Sequence, residues 1–198
     1  MKKIFFYLKS ILAAPLYIFF LLKDKNNILT DELREWENTL PVIKHKNRFI
    51  AFIRMFAIFR EYRSLFLYRL GGFGELLKYF IPCMSNLHFV TSSDKIGKGL
   101  VIQHGFSTII WPESMGTNCQ IWQNVTIGRS RPGEGRPTIG NNVKICTSAI
   151  VLGKIYIGNN VTIGASSVVL KNVPDNCVVC GNPARIVKLN GKKANITL

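Results

Sequence analysis

Aliphatic residues recur at every sixth position in the second half of the chain, and this period is the strongest structural signal in the sequence. They head consecutive hexads at Ile139, Ile145, Val151, Ile157, Ile163 and Val169. Shorter runs with the same spacing begin at Ile96 and at Met115. A fixed short period is typical of stacked, near-identical structural units, whereas an amphipathic α-helix would place apolar residues at i, i+3, i+4 and i+7. The pattern therefore predicts a parallel β-helix in which three hexads complete a coil and the aliphatic heads stack inward.

The first part of the chain follows other patterns. Residues 4–22 are almost wholly apolar and are flanked by lysines, and their length approaches the ~20 apolar residues of a spanning helix. Because Lys9 and Pro15 interrupt the run, we expect a helix in the plane of a membrane or partly inserted in it; a buried core helix and a signal peptide are the alternatives. In residues 48–70, phenylalanines at helical spacing are interspersed with arginines, which predicts an interfacial helix; a helix packed on the β-helix or on a neighbouring subunit is the alternative.

These patterns divide the chain into three parts. We expect a helical, aromatic and basic segment over residues 1–90 that associates with a membrane, a β-helix over residues 91–188, and a basic C-terminal tail over residues 189–198. The predicted fold class is mainly β, with an N-terminal α-helical segment.

The chain is strongly basic. Its 198 residues carry 26 basic and 11 acidic side chains, a formal charge of +15. Residues 1–90 contribute 14 basic and 7 acidic side chains, and the remainder 12 and 4, so the excess is spread along the chain. This balance favours polyanionic partners such as anionic lipid or cofactor phosphates, and we exclude nucleic acid because no nucleic-acid motif occurs. The five cysteines lack disulfide or zinc spacing, so we expect a reducing, cytoplasmic location and no metal.

Residues from about Ile96 to Lys188 resemble the hexapeptide-repeat acyltransferases, which fold as left-handed β-helices, and within them the serine acetyltransferase branch. Beside the repeats, the resemblance rests on IQHG at 102–105, IWQNVTIG at 121–128, the extruded loop RSRPGEGRP at 129–137 and VPDNCVVCGNPARIV at 173–187. It implies a left-handed coil, an enzyme with acetyl-CoA as acyl donor, and a homotrimer with the cofactor in a groove between subunits.

A general base is needed for acyl transfer to a hydroxyl group, and histidine suits neutral pH. Of the three histidines, His45, His88 and His104, only His104 lies within the repeats. The family's catalytic histidine occupies the same motif, so the resemblance implies that His104 deprotonates the acceptor in a direct transfer from acetyl-CoA. By motif position the resemblance also implies a cofactor groove lined by Gly128, Thr147, Ala165 and Ser166. It implies that Lys171 and Arg185 contact the phosphates of the cofactor.

Departures from the serine acetyltransferase pattern concern the acceptor. The acidic residue expected before the histidine is Gln103, the carboxylate expected about fifteen residues earlier falls at Phe89, and the histidine expected in the extruded loop is Arg136. Gln103 and Arg136 are therefore candidate substrate-binding residues that do not suit free L-serine. We expect instead that a sugar hydroxyl is acetylated in surface polysaccharide biosynthesis, by an enzyme peripheral to the inner face of the cytoplasmic membrane.

Two alternative functions stay open. A serine O-acetyltransferase of cysteine biosynthesis would keep the chemistry and change the acceptor. A non-catalytic hexapeptide scaffold at the membrane would not need His104, so the presence of this residue argues against a scaffold. A β-helical carbonic anhydrase is excluded because its zinc site needs several histidines, and GGFG at 71–74 is not a nucleotide-binding fingerprint.

Overall fold

The chain forms two compact units. The structure, a computed structural model, describes residues 2–41 and 44–198, without the side chains of residues 2–9 and of Leu12. The first unit ends at Met84 and the second comprises Ser85–Leu198. The apolar segment predicted over residues 4–22 therefore lies partly outside the described side chains.

Helices build the first unit. They are α1 (Lys2–Lys23), α2 (Ile28–Thr39), α3 (Arg48–Ile58), α4 (Arg60–Arg69) and α5 (Gly72–Leu77). On one face of α1, Leu16 and Phe20 are buried, and the ring of Phe20 lies 5.2 Å from that of Phe52 in α3. On another face Ile18 and Leu22 are exposed. Within the part of the chain that the structure describes, no helix has the length and apolarity to cross a membrane.

The helix predicted over residues 48–70 is two helices. Phe59 has an extended backbone, with φ of −99° and ψ of 115°, and separates α3 from α4. Phe52 and Phe56 of α3 are buried against Phe66 of α4, at centroid distances of 5.2 and 5.8 Å. These aromatic side chains therefore pack inside the helical unit itself, a partner that neither sequence alternative named.

Buried polar groups connect the helices. The side chains of Glu32 in α2 and Arg69 in α4 are 2% and 3% exposed and form an ion pair, in which Nε of Arg69 donates to Oε1 of Glu32 at 2.8 Å. Arg63 of α4 donates to the carbonyl of Phe56 at 2.6 Å and to that of Pro82 at 2.8 Å. Burial lowers the pKa of the Arg63 guanidinium from its ordinary value. Single side chains thus tie together segments that are distant in sequence.

Short strands build three sheets in the second unit. They are β1 (Leu87–Phe89), β2 (Val101–Ile102), β3 (Thr108–Ile110), β4 (Ser114–Met115), β5 (Gln120–Ile121), β6 (Thr126–Gly128), β7 (Thr138–Ile139), β8 (Lys144–Ile145), β9 (Ile150–Leu152), β10 (Tyr156–Ile157), β11 (Thr162–Ile163), β12 (Val168–Val169), β13 (Cys177–Cys180), β14 (Arg185–Leu189) and β15 (Lys192–Thr197). The strand orders are β1-β3-β6-β9-β12 in the first sheet, β10-β7-β4 in the second and β15-β14-β13-β11-β8-β5-β2 in the third. The strands from coil to coil are parallel, whereas β13, β14 and β15 pair antiparallel. Most of the segment expected to be a tail is therefore the strand β15.

The aliphatic heads of the hexads stack inside the coils. In the third sheet Ile121 pairs with Ile145, and Ile145 with Ile163, and all three are fully buried. Each coil thus places the same apolar position over that of its neighbour. The predicted fold class is confirmed: the protein is mainly β, a left-handed parallel β-helix preceded by α-helices.

Asparagines turn the chain at the corners of the coils. Asn142, Asn160 and Asn176 have φ of 55°, 56° and 57°, in the left-handed region that asparagine tolerates better than most residues. Nδ2 of Asn142 donates to Oδ1 of Asn160 at 3.0 Å, and Nδ2 of Asn160 donates to Oδ1 of Asn176 at 2.9 Å. This ladder keeps successive corners aligned.

The outer faces of the sheets differ in polarity. Alternate residues of the first sheet point outward, in the row His88, Ile109, Thr126, Ile150 and Val168. We call Ile109, Ile150, Val168 and the following Leu170 the apolar face. Ile109 is 39% and Leu170 is 53% exposed. The corresponding outward positions of the third sheet are Gln120, Lys144 and Thr162. The first sheet is therefore the side of the β-helix that suits contact with another apolar surface.

Candidate active site

His104 lies on a loop that breaks the repeat at the corner between the third and first sheets. Ile102 pairs with Ile121, and Ile109 pairs with Thr126. Ile109 follows Ile102 by seven positions, whereas Thr126 follows Ile121 by only five, so the loop after Ile102 contains two extra residues. His104 has φ of 57° and an exposed side chain. The insertion thus lets a polar side chain leave the coil while the inward column keeps its register.

Hydrogen bonds from the next coil hold this loop, residues 103–107, which we call the histidine loop. The backbone N–H of Gln103 donates to the carbonyl of Ile121 at 2.8 Å. The backbone N–H of Asn124 donates to the carbonyl of Phe106 at 3.0 Å. Both ends of the loop are therefore fixed on the coil, and Gln103, which is half-buried, directly precedes His104 in the chain.

The strand β1 closes the other side of the histidine loop. A Cβ atom at Gly105 would lie 3.2 Å from the side chain of Leu87, so the loop and the strand pack closely at this position. β1 also carries His88, which is exposed, and Phe89, which is half-buried at the position where the family pattern has a carboxylate. In the described structure neither β1 nor the corner that follows β5 carries an acidic residue.

Among the polar groups at this corner without a hydrogen-bond partner within residues 2–41 and 44–198, two bear on acid–base chemistry. One is the exposed imidazole of His104. The other is Oε1 of Gln123, which is buried at the corner of the next coil. Sequence reasoning missed Gln123, because polar residues are common at this position of a hexad.

Three of the predicted cofactor residues lie on the same edge of the β-helix as His104. The N–H of Ser148 donates to the carbonyl of Gln123 at 3.0 Å, and the N–H of Ser166 donates to that of Thr147 at 2.9 Å. The corners are thus stacked coil by coil. With ~4.8 Å between neighbouring strands, Thr147 and Ala165 are about 10 and 14 Å along the edge from the histidine loop.

Of the other predicted cofactor residues, Gly128 and Lys171 lie at a different edge of the β-helix, whereas Arg185 lies at the end of the histidine edge. Gly128 ends β6 and Lys171 follows β12, both at the opposite edge of the first sheet. Nζ of Lys171 donates to the backbone carbonyl of Leu198. Arg185 lies on β14, where it pairs with Cys180. Within one chain, the width of the first sheet separates Gly128 and Lys171 from the histidine edge.

The extruded loop is held at both ends on Trp111. The guanidinium carbons of Arg129 and Arg136 lie 4.8 and 5.6 Å from the ring centroid, within the range of cation–π contacts. Nε of Arg136 also donates to Oε2 of Glu113 at 3.0 Å. This bond, and then one from Lys95, holds the pKa of the Glu113 carboxyl below its ordinary value. Sequence reasoning missed Trp111 and Glu113, since neither heads a hexad.

The cysteine thiols lie apart from the histidine loop. Cys119 is 1% exposed, and burial raises its pKa to about 11, so this thiol serves packing. Cys177 and Cys180 are free thiols on β13. Across the described ranges, no group of three histidine, cysteine, aspartate or glutamate side chains is placed to hold a metal ion.

Comparison with known proteins identifies the repeats. Residues 136–171 match the family described as Bacterial transferase hexapeptide (six repeats). The serine acetyltransferase of Bacillus pumilus is 44% identical over 103 residues, which are 50% of this chain and 48% of that protein. The serine acetyltransferase of Synechococcus elongatus is 36% identical over 104 residues, 51% of this chain and 43% of that protein. The chain thus spans about half the length of the curated relatives it matches.

Solved structures share the fold over more of the chain. Serine acetyltransferase from Neisseria gonorrhoeae superposes with a TM-score of 0.62 at 24% identity, covering 98% of this chain and 78% of that one. Serine acetyltransferase from Brucella abortus in complex with coenzyme A gives a TM-score of 0.63 at 25% identity, covering 87% and 70% of the two chains. At these identities the likeness concerns the fold.

These findings confirm one prediction and correct another. The predicted resemblance to hexapeptide-repeat transferases of the serine acetyltransferase-like branch is confirmed. The predicted acetylation of a sugar hydroxyl in polysaccharide biosynthesis is wrong, because the relatives that match are serine acetyltransferases. The error lay in the weight given to Gln103 and Arg136. Two side chains do not determine the acceptor, and Arg136 is already bound to Glu113 of its own chain.

Proposed function

We propose that this chain, a hexapeptide-repeat protein of the serine acetyltransferase-like branch, transfers an acetyl group from acetyl-CoA to the hydroxyl of L-serine. The observation that carries the proposal is the histidine loop, whose two inserted residues project His104 from the coil. The 44% identity of the matching 103 residues to the serine acetyltransferase of Bacillus pumilus supports serine as the acceptor.

In the proposed reaction His104 is the general base. Its imidazole takes the proton of the serine hydroxyl while the oxygen attacks the carbonyl carbon of the acetyl thioester. The bond between this carbon and sulfur then breaks, the acetyl ester stays on serine, and the sulfur leaves as the thiol of coenzyme A with the proton from His104. A positioned base contributes about 10²–10⁴-fold to such a step.

The stacked corners beside the histidine loop form a surface along which the acyl donor binds in this proposal. Thr147, Ala165 and Ser166 have small side chains, so an extended pantetheine arm is able to approach the coil over about 14 Å. In this arrangement the thioester lies at the histidine loop, and the phosphates lie beyond Ser166. The exposed guanidinium of Arg185 then serves as a phosphate contact.

A homotrimer completes the groove in this proposal. The apolar face, of which Leu170 is 53% exposed, is suited to burial against another subunit. When that face is covered, Gly128 and Lys171 of one subunit come to the histidine edge of the next. We expect Leu170→Asp to yield monomers with weakened coenzyme A binding, measured by sedimentation velocity and calorimetry; a trimer that binds normally would contradict this assembly.

The test of the function is thiol release from acetyl-CoA in the presence of L-serine. We expect the wild-type protein to release coenzyme A only with serine present, and His104→Ala to lose about 10²–10⁴-fold in kcat. The matched control is His88→Ala, which removes an exposed histidine of β1 and should retain activity. Absence of serine-dependent release from a protein that binds coenzyme A would overturn the proposed acceptor.

Substitution of Gln103 tests how the ammonium group of L-serine is recognised. Its amide oxygen accepts a hydrogen bond from the serine ammonium but carries no full charge, and hydrogen bonds to charged groups are stronger. We expect Gln103→Asp to lower the KM for L-serine by about tenfold. An unchanged KM would show that the ammonium group is bound elsewhere.

A membrane surface is a second candidate partner, through the helical unit. Ile18 and Leu22 of α1 are 59% and 71% exposed. Phe19 of the same helix packs at 4.8 Å against Phe73 of α5, which also carries the exposed Leu76. The unit has 14 basic and 7 acidic side chains, and apolar side chains beside basic ones suit anionic headgroups. We propose that this surface contacts anionic bilayers.

Vesicle sedimentation tests the membrane contact. We expect the protein to sediment with phosphatidylglycerol vesicles and much less with phosphatidylcholine vesicles. Leu22→Ser should weaken binding, whereas Ile196→Ser, at a 45% exposed position of β15, is the control. Equal partition with both lipids, or none with either, would contradict the proposal.

A further inference from the structure

We propose that Gln123 positions His104 for base catalysis, by accepting a hydrogen bond from Nδ1–H of the imidazole. The inference rests on the acetyl transfer proposed above and adds to it the residue that orients the base. Gln123 itself does not touch the reacting atoms in this proposal, so it is a positioning residue.

An imidazole base needs an acceptor on the nitrogen that does not react. The reacting nitrogen must carry the lone pair and point at the hydroxyl, and a hydrogen bond from the other ring nitrogen fixes both the tautomer and the ring orientation. A carboxylate commonly accepts this bond. Here β1 offers Phe89, and the described corner around the histidine loop has no acidic residue, so a neutral group must accept it.

Gln123 lies in the coil that follows the histidine loop, at the corner that stacks on this loop. The pairing of Ile102 with Ile121 and the bond from the N–H of Asn124 to Phe106, at 3.0 Å, place the corner residues between them directly beside the loop. Oε1 of Gln123 is shut off from solvent there and has no donor. A buried acceptor without a donor is unfavourable, so a nearby N–H that turns toward it is stabilised.

We assign the imidazole as the donor because it is the group at this corner whose orientation catalysis requires. The backbone N–H groups that flank the corner, those of Gln103 and Asn124, already donate to carbonyls of the neighbouring coil. The hydroxyl of Thr108, within the first coil, donates to Phe106 at 3.1 Å. Rotation of the His104 side chain toward Gln123 would satisfy both unpartnered groups at once and leave Nε2 free to take the serine proton.

Few titratable groups surround the pair, which makes the pH dependence of catalysis a clean readout. β1 contributes His88, and the corner after β8, whose Ser148 N–H donates to the carbonyl of Gln123, contributes Cys146, a thiol whose pKa is raised by burial. In the described structure the corner after β5 and the histidine loop contribute no further ionisable side chain beyond His104. A carboxylate introduced at position 123 would therefore act on His104 without competition from a neighbouring charge.

Substitutions at position 123 test the inference in two measurements. In the first, ¹⁵N NMR of the histidines, assigned with His45→Asn and His88→Asn, reports the neutral tautomer of His104. We expect Nδ1–H to predominate in the wild type and to lose its predominance in Gln123→Leu. In the second, serine-dependent thiol release is followed against pH. We expect Gln123→Leu to lose about 10- to 100-fold in kcat/KM. The control Gln120→Leu removes a glutamine on the outer side of β5 and should change neither measurement.

Gln123→Glu separates orientation from packing. The carboxylate also accepts from Nδ1–H and stabilises the imidazolium, so we expect retained activity and an acidic limb of the kcat/KM profile shifted up by about one pH unit or more. A tautomer that is the same in the wild type and in Gln123→Leu, or equal loss of activity in the Leu and Glu variants, would overturn the inference. If the tautomer shifts as expected but no protein releases thiol with serine, the positioning stands and the proposed function fails.

Discussion

The helical unit and the β-helix differ in how their buried apolar side chains are arranged. In the β-helix Ile121, Ile145 and Ile163 occupy equivalent places in successive coils, and the same backbone pairing is repeated at each step. In the helical unit the interior is a cluster of unlike aromatic rings, and the Glu32–Arg69 ion pair joins residues 37 positions apart. The interior of the β-helix repeats the same aliphatic packing in each coil, whereas the interior of the helical unit depends on individual side chains.

This difference determines how each unit responds to change. A repeated interior spreads the effect of one substitution over two neighbouring coils, because stability is approximately a sum of repeat and interface contributions. An interior with single connecting residues concentrates the effect at those residues. Four substitutions, taken from the largest expected effect to the smallest, test the contrast.

Glu32→Leu should be the most damaging change. It removes the buried carboxylate with which Arg69, whose side chain is 3% exposed, forms its ion pair, and breaking a buried pair costs about 3–5 kcal/mol. We expect urea unfolding followed by near-UV circular dichroism to show a weakened transition. The double variant Glu32→Leu with Arg69→Met should recover much of the loss. A double variant as unstable as the single one would show that the ion pair is not the cause.

Ile145→Ala tests the repeated interior. The side chain is fully buried between those of the neighbouring coils, and removing such a group costs about 2–5 kcal/mol. We expect hydrogen exchange to accelerate in the adjacent coils and to stay slow in distant ones. Ile109→Ala on the apolar face is the matched control and should cost far less in the isolated chain. Uniform acceleration through all coils would contradict the local response.

Cys119 gives the β-helix a pH dependence. Its folded-state pKa is raised to about 11 by burial, above the ~8.5 of an unfolded thiol. The resulting stability is fully present below the unfolded value and is lost as the pH rises through the folded value, a difference of about 3 kcal/mol. We expect Cys119→Val to be less sensitive than the wild type between about pH 8.5 and 11, measured by denaturant unfolding. Parallel pH curves for the two proteins would refute this assignment.

Asn47→Ala should have the smallest effect of the four. The side chain of Asn47 accepts from the N–H of Ile50 at 3.2 Å and caps α3, and loss of such a cap costs about 1 kcal/mol. Thermal unfolding should report a small decrease that Asn47→Asp does not reproduce. A decrease as large as that of Glu32→Leu would mean that the cap has a further role.

The same contrast explains what the sequence could predict. The period of six located the inward column of the β-helix, since each hexad repeats the same physical requirement. It could not reveal the Glu32–Arg69 pair, because no local pattern links two residues on different helices. The separation of α3 from α4 at Phe59 also lacked a local signal, as neither proline nor glycine marks it.

The candidate site was predictable in part for a related reason. His104 was identified through its motif, whereas the two inserted residues of the histidine loop were seen only in the strand pairing. Gln123 and Trp111 acquire their significance only from three-dimensional neighbours. The acceptor was predicted wrongly from Gln103 and Arg136, since recognition of a small molecule depends on the whole surface around it.

The two inserted residues of the histidine loop have a consequence for how this architecture changes over time. Because the coil resumes its register immediately after the loop, residues are added at a corner without rearranging the interior. The extruded loop after Gly128 leaves and rejoins the coil in the same manner. The corners of the β-helix are therefore positions at which evolution or protein engineering can insert residues with new side chains while the stacked interior stays the same.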